Sequence, residues 1–242
     1  MGVVLTGGAR QDRGMRIRRL GGLALAAILV AGFAPATPVS AALVNGATKP
    51  KKSDSAISVL NTLVVKGRAP KTGYTRAQFG AAWKDVDGNG CDTRNDILKR
   101  DLTGIIYKSG SCVVASGTLD DPYSGKIIAF ERGVATSSEV QIDHVVALSD
   151  AWQKGAFAWT VAKRTNLAND PLELLAVDGP LNGQKSNGDA ATWLPPNKAY
   201  RCPYVARQVA VKSKYGIWVT QAEKDAIAKI LATCPNQLIP SA

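Results

Sequence analysis

The chain of 242 residues holds one histidine, His144, within "EVQIDHVVALSD" (139–150). An unperturbed imidazole titrates near pH 6.5, so at neutral pH it can accept a proton and work as a general base. Asp143 stands directly before it and apolar residues flank the pair. A satisfied core histidine is the competing reading, and what decides between them is the company the rest of the chain supplies. A second group has ligand-like spacing. In "DVDGNGCDTRND" (85–96), Asp85, Asp87, Asn89, Gly90 and, in twelfth place, Asp96 follow the order of a calcium loop. Asp96 is shorter than the usual bidentate Glu, and Asp92 stands where an apolar residue normally pins such a loop. An acidic turn tethered by Cys91 fits the same residues. A Ser or Cys hydrolase built on His144 fits poorly: there is no G-x-S-x-G elbow, and the cysteines are expected to be oxidised.

These groups need elements to hold them. Residues 1–41 read as an export signal, not as fold. Arg10, Arg13, Arg16, Arg18 and Arg19 form a basic start, Leu20–Ala34 is a short apolar run, and "PVSAA" offers a cleavage point after Ala41. Residues 42–56 are small, polar and lysine-bearing, a linker. Residues 57–242 are expected to form one domain. The formal charge is +11; removing the five Arg and one Asp of residues 1–41 leaves +7. That balance suits a polyanionic partner such as nucleic acid, teichoic acid or an anionic membrane surface. No later stretch is long and apolar enough to span a bilayer, so no membrane association is expected after cleavage, and the protein is expected to be a secreted monomer.

Four cysteines follow the signal: Cys91, Cys112, Cys202 and Cys234. In an exported chain an even count reads as disulfides, with three pairings open. Cys91–Cys112 with Cys202–Cys234 is the choice that closes local loops. Zinc is a poor rival, since no CxxC pair exists and the histidine is far from any cysteine.

Along the chain, Ile57, Leu60, Leu63 and Val64 have helical spacing. Thr75 is a good N-cap for a helix that would put Phe79 and Trp83 on one face. From Thr103 the pattern turns to short β-branched runs split by Gly, Ser, Asp and Pro, which predicts two or three strands. Val140 and Ile142 alternate into Asp143-His144 as a further strand, and "PLELLAVDG" (171–179) is another. "PLNGQK" opens a helix with Pro180 in its first turn. Residues 201–215 read as a basic amphipathic helix ended by Gly216. Thr220 with Glu223 makes a capping box for a last helix.

Three segments, "IDHVVAL" (142–148), "NDPLELLAV" (169–177) and "LNGQKSNGDAATWLPP" (181–196), together resemble the His-Asn-His (HNH) endonuclease family, whose core is a ββα-metal unit. "GCDTRND" (90–96) and "YRCPY" (200–204) bring the resemblance closer to a secreted bacterial subgroup related to the C-terminal domain of GmrSD-type restriction enzymes. It covers most of residues 75–235. It implies an α+β fold with an HNH-like ββα-metal core, added helices and a small antiparallel sheet, stapled by disulfides. It implies divalent-metal-dependent hydrolysis of phosphodiesters in DNA, or RNA, with low sequence specificity.

Under that resemblance His144 is the general base, while Asp143 and Asn182 hold Mg²⁺, or Mn²⁺, through oxygen. Lys185, three residues beyond Asn182, contacts the scissile phosphate. Adjacent strand residues point to opposite faces, so the strand must break or bulge at Asp143-His144. Where the family commonly has Asn to brace the histidine's loop, this chain has Glu173, which either hydrogen-bonds as an acceptor or joins the metal shell. Arg94 grips phosphate in the cleft, and Arg201 and Arg207 contact the backbone of nucleic acid without reading sequence. The alternative from another class is a non-enzymatic secreted module that binds cell-wall polyanions or calcium.

Overall fold

The structure, a computed structural model, describes residues 54–240; the expected signal (1–41) and most of the linker (42–56) lie outside the described residues. The spacing of Ile57, Leu60 and Leu63 does produce a helix, α1 (Ala56–Thr62), whose Ala56, Val59 and Leu60 are buried. The helix expected from Thr75 to Trp83 does not form. A single 3-10 turn, Arg76–Phe79, stops at Gly80, where φ is 80°. A Cβ at that position would meet Thr165 Oγ1 at 2.2 Å, so only glycine allows this close passage. Phe79 and Trp83 therefore part. Phe79 packs against Trp152 in the main core, and Trp83 turns towards a second one.

α2 (Thr93–Asp101) begins inside the acidic stretch. Asp92 is its N-cap and accepts from Asn95 N at 2.8 Å. β1 (Leu102–Tyr107), β2 (Val114–Asp120) and β3 (Ile127–Glu131) form an antiparallel meander, as the alternating runs predict. Leu102, Val114, Leu119 and Phe130 from this sheet join Ile97 and Leu98 of α2 in the smaller apolar cluster.

β4 (Val140–His144) pairs antiparallel with β5 (Leu174–Asp178) in a separate two-stranded sheet. Between them run α3 (Leu148–Gln153), a 3-10 turn at Ala156–Ala158 and α4 (Val161–Ala168). β5 leads directly into α5 (Gly179–Lys185), with Pro180 in the first turn and Asp178 as N-cap. Two antiparallel strands followed at once by a helix thus stand at the centre of the chain. β5 is buried on both faces: Leu174 and Ala176 belong to the smaller cluster, Leu175 and Val177 to the larger. Full burial of each leucine or valine here contributes roughly 1.5–3 kcal/mol. The strand pair is therefore clamped from both sides, a rigid base for whatever its end carries.

α6 (Arg201–Tyr215) ends at left-handed Gly216 as expected, and packs its Tyr204, Val205 and Val209 into the larger cluster with α1 and α7 (Gln221–Leu231). Thr220 caps α7 by accepting from Glu223 N at 3.2 Å, which is half of the predicted capping box. The other half is absent because the Glu223 carboxylate turns inward to Lys154 and Lys212. The disulfides are Cys91–Cys112 and Cys202–Cys234, the local pairing. Closing loops of this size stabilises by about 3–4 kcal/mol each in the chain-entropy picture. No helix among the described residues is long and apolar enough to cross a membrane.

Candidate active site

His144 is the last residue of β4, and the register runs without a bulge from Val140↔Asp178 to His144↔Leu174. The expected break is therefore the end of the strand. By alternation Gln141 and Asp143 share one face, and Ile142 and His144 the other. A pocket of about 460 Å³ is built round this end, and Asp143, His144 and Asn182 all line it. Residues about forty positions apart in sequence thus meet at one cavity, as the resemblance implies.

Asp143 is held on both oxygens. Tyr123 donates its hydroxyl to Oδ2 at 2.5 Å, and Lys185 Nζ lies 2.9 Å from Oδ1. Burial, and then the Asp143 charge, push the Tyr123 phenol well above its usual range, so it remains a donor. Lys185 also donates to the backbone carbonyl of His144 at 2.8 Å. This corrects the expectation for Lys185. It is 2% exposed, does not line the pocket, and its ammonium is spent on Asp143 and His144. Lying three residues beyond Asn182 does not bring it to the phosphate, because the seven-residue helix packs on β4 and β5 and turns Lys185 inward.

The imidazole is 8% exposed, and its Nε2 lies 3.0 Å from the carbonyl oxygen of Ala168. A carbonyl only accepts, so this contact assigns the proton to Nε2 and leaves Nδ1 as a free lone pair. Burial lowers the His144 pKa from 6.5 to about 4, against the opposing charge of Asp143. At neutral pH the ring is uncharged, which is the form a general base requires. The turn after it is fixed by Glu173, whose carboxylate accepts from Val146 N at 3.2 and 3.1 Å and whose carbonyl accepts from Val145 N. Burial pushes that carboxyl well above its usual range. Glu173 is fully buried and lies outside the pocket lining, so of the two roles open to it the structure shows the acceptor.

Asn182 is held by Gln141, whose Oε1 accepts from Asn182 Nδ2 at 2.9 Å, leaving the amide oxygen as the other end of the group. A carboxylate and an amide oxygen are a donor set for a hard cation that keeps most of its waters. Each Asp143 oxygen accepts one hydrogen bond and retains ligating capacity. The residues present therefore fit a divalent metal.

The rim is cationic and aromatic. Arg94 lines the pocket, with its guanidinium carbon 6.0 Å from the Trp83 ring centroid. Arg76, which the sequence pattern did not single out, lines it too. Trp83 stacks near His144, ring centroids 6.3 Å apart and planes at 20°. Among the described residues, the non-glycines with left-handed φ are Trp83 (57°) and Ser186 (48°), and both line this pocket. Such backbone costs about 1–3 kcal/mol and persists where surrounding structure enforces it, often at functional sites.

Other sequence candidates lie elsewhere. Arg201 donates to the carbonyl of Pro195 and Arg207 to that of Leu174, and neither lines the pocket. Lys212 of the same helix is fully buried among Asp150 and Glu223, so it is not part of the basic face expected of this amphipathic helix. In the acidic loop Asp85 accepts from Gly88 N and Gly90 N, Asp87 from Asn89, and Asp96 from the Asn89 amide. Asp96 sits in α2, so the twelfth position is already helical. Sequence reasoning missed Tyr123, Arg76 and Gln141. Only Gln141 had a signal, its place two residues before Asp143 on the same strand face.

The chain matches the family described as "GmrSD restriction endonucleases, C-terminal domain" over residues 92–230. A protein of Arthroderma benhamiae (strain ATCC MYA-4681 / CBS 112371), named "Uncharacterized secreted protein", is 38% identical over 184 residues, which cover 75% of this chain and 86% of that protein. That relative is fungal, where the sequence resemblance pointed to a bacterial subgroup. No solved structure matches this chain.

Proposed function

The chain belongs to the family of GmrSD restriction endonuclease C-terminal domains, and from that premise we propose that it is an exported, divalent-metal-dependent nuclease of the HNH type that hydrolyses phosphodiester bonds with little sequence preference. The observation that carries this reading is the His144 ring. Its Nε2 is anchored on Ala168, which leaves Nδ1 as the acceptor, and the residue lines a pocket that Asp143 and Asn182 line too.

In this mechanism His144 Nδ1 removes a proton from water as the water oxygen bonds to phosphorus, and the P–O3′ bond breaks with its electron pair on the 3′ oxygen. Asp143 and Asn182 would hold Mg²⁺ or Mn²⁺, which when bound would supply charge stabilisation at the phosphate and the departing oxygen. Tyr123 and Lys185 hold the Asp143 carboxylate in place, and Lys185 also fixes the His144 carbonyl. Arg76 and Arg94 at the rim draw in and neutralise the phosphate backbone. Export through the signal of residues 1–41 is in keeping with the two disulfides and with the relative named as secreted.

The test is digestion of plasmid DNA and of RNA by the purified protein with Mg²⁺ or Mn²⁺, with EDTA, and by His144→Ala. Cleavage is expected with metal, none with EDTA, and a loss of roughly 10²–10⁴-fold in rate for the variant. If no divalent ion supports cleavage of either polymer, the reading fails.

A further inference from the structure

The hydrolytic pocket has a neighbour. A second cavity, about 230 Å³, shares Arg76, Trp83, His144 and Leu148 with it. The two are thus adjoining chambers with His144 and Trp83 in the common wall. Of the residues the annex does not share, all are apolar or glycine except Asn169. Phe79 supplies a ring, and Gly80-Ala81-Ala82 form a stretch without bulky side chains, which is why space exists there. Asn169 is 1% exposed. Its Nδ2 donates to the carbonyl of Thr165 at 2.9 Å, and its Oδ1 has no hydrogen-bond partner. A buried acceptor left unpaired is costly, and it invites a donor.

The shared wall is positioned at some cost. Trp83 keeps its left-handed backbone because the start of α2 pins it. Thr93 N donates to the Trp83 carbonyl at 3.3 Å, and the Thr93 hydroxyl donates to the carbonyl of Lys84. Residues 76–83, which make most of the annex, precede the span matched to the family (92–230), so this wall is an addition to what that match covers.

We propose that the annex is a nucleobase subsite: it receives the unstacked base of the nucleotide beside the phosphate held at His144. The walls have the required chemistry, aromatic and flat surfaces for a heterocycle with one acceptor for its N–H, and Arg76 at the shared mouth for the adjoining phosphate. A base paired and stacked in a duplex cannot enter such a chamber without being extruded. The subsite therefore makes unpaired strands the better substrate. The inference rests on the nuclease reading for its position in the reaction, and on the annex alone for its ligand.

A single abasic site, walked along a fixed single-stranded oligonucleotide, tests it in the presence of Mg²⁺. Cleavage is expected to fall about tenfold at the one linkage whose neighbouring base is missing, as loss of a base stack would give. Ala82→Leu, which adds bulk at an exposed position of the annex lining, should weaken that dependence and narrow the gap between single and double strands. Equal cleavage at every linkage, with or without the neighbouring base, overturns the subsite while leaving the nuclease standing. If no substrate is cleaved at all, the nuclease reading fails, and titration with adenosine monophosphate decides the subsite by itself. Quenching of tryptophan fluorescence that ribose 5-phosphate does not reproduce, and that Ala82→Leu weakens, supports it; no quenching overturns it.

Discussion

Lys154 and Lys185 are both lysines whose side chains have no exposed surface, and each sits against carboxylate, yet their surroundings differ in kind. Lys154 Nζ lies 2.7 Å from Asp150, 2.8 Å from Asp189 and 2.7 Å from Glu223. Lys212 pairs with Asp150 and Glu223 from another side, and Arg68 closes the group on Asp150 and Asp189. Three acids meet three bases, and α3, α6, α7, the loop after α5 and the Arg68 segment are tied together. The three carboxylates converge closely enough to hold a metal ion, but two ammonium groups already stand there. Lys185 instead meets one carboxylate and one carbonyl, and both belong to residues that line a cavity. Buried charge that is matched on all sides holds elements in register. Buried charge matched on one side, with a pocket on the other, leaves capacity for a ligand.

The contrast can be broken at either end. Lys154→Met leaves three carboxylates short of one cation in a dry interior, and should cost about 3–5 kcal/mol of stability in urea unfolding. Cleavage by the fraction that remains folded should be near normal. A large loss of activity without loss of stability would reverse the assignment of the two lysines.

Acid separates the sites next. The folded His144 pKa is about 4 and the unfolded value about 6.5, so between these pH values the unfolded chain binds a proton that the folded chain refuses. Stability should fall as pH drops through that window, by up to about 3 kcal/mol, and His144→Gln should remove this part of the dependence. The measurement is unfolding in EDTA from pH 7 to pH 4. The closed network responds lower. Burial raises Asp150, but Lys212 and Lys154 more than offset it, so its carboxyl lies below its usual value and gives way only in stronger acid.

Lys185→Met should reduce cleavage about 10–100-fold, the usual cost of losing a partner that orients a ligand, and destabilise less than Lys154→Met because the pocket admits water beside Asp143. Tyr123→Phe is the mildest of the set. Loss of one hydrogen bond to Asp143 Oδ2 should cost about tenfold in cleavage rate and about 1–2 kcal/mol in stability. Equal cleavage by Tyr123→Phe and wild type would show that the Lys185 contact suffices.

Much of the site's outline was legible before the structure. His144 at the end of an alternating strand, "LELLAV" as a second strand, and Asn182 in a helix opened by Pro180 are all local patterns; His144 and Asn182 line the pocket, and "LELLAV" pairs with the strand that carries His144. Thr220 and Gly216 marked helix ends for the same reason: caps act within three or four residues. The helix drawn from Thr75 to Trp83 failed because the deciding contact is the approach of Gly80 to Thr165, 85 residues away and invisible to periodicity. Lys212 read as a surface cation on a basic helix, and nothing within a few residues announces Glu223 as its partner.

The amino-acid order by itself determined most of the elements, several of their ends, and the placing of Asp143 and His144 at a strand end and of Asn182 in a helix, because strand alternation and capping are short-range. Only the tertiary structure decided which lysine faces solvent, which tyrosine holds Asp143, and which of three disulfide pairings forms. Those outcomes depend on packing between segments tens of residues apart, where a buried charge must find its partner or the fold is lost.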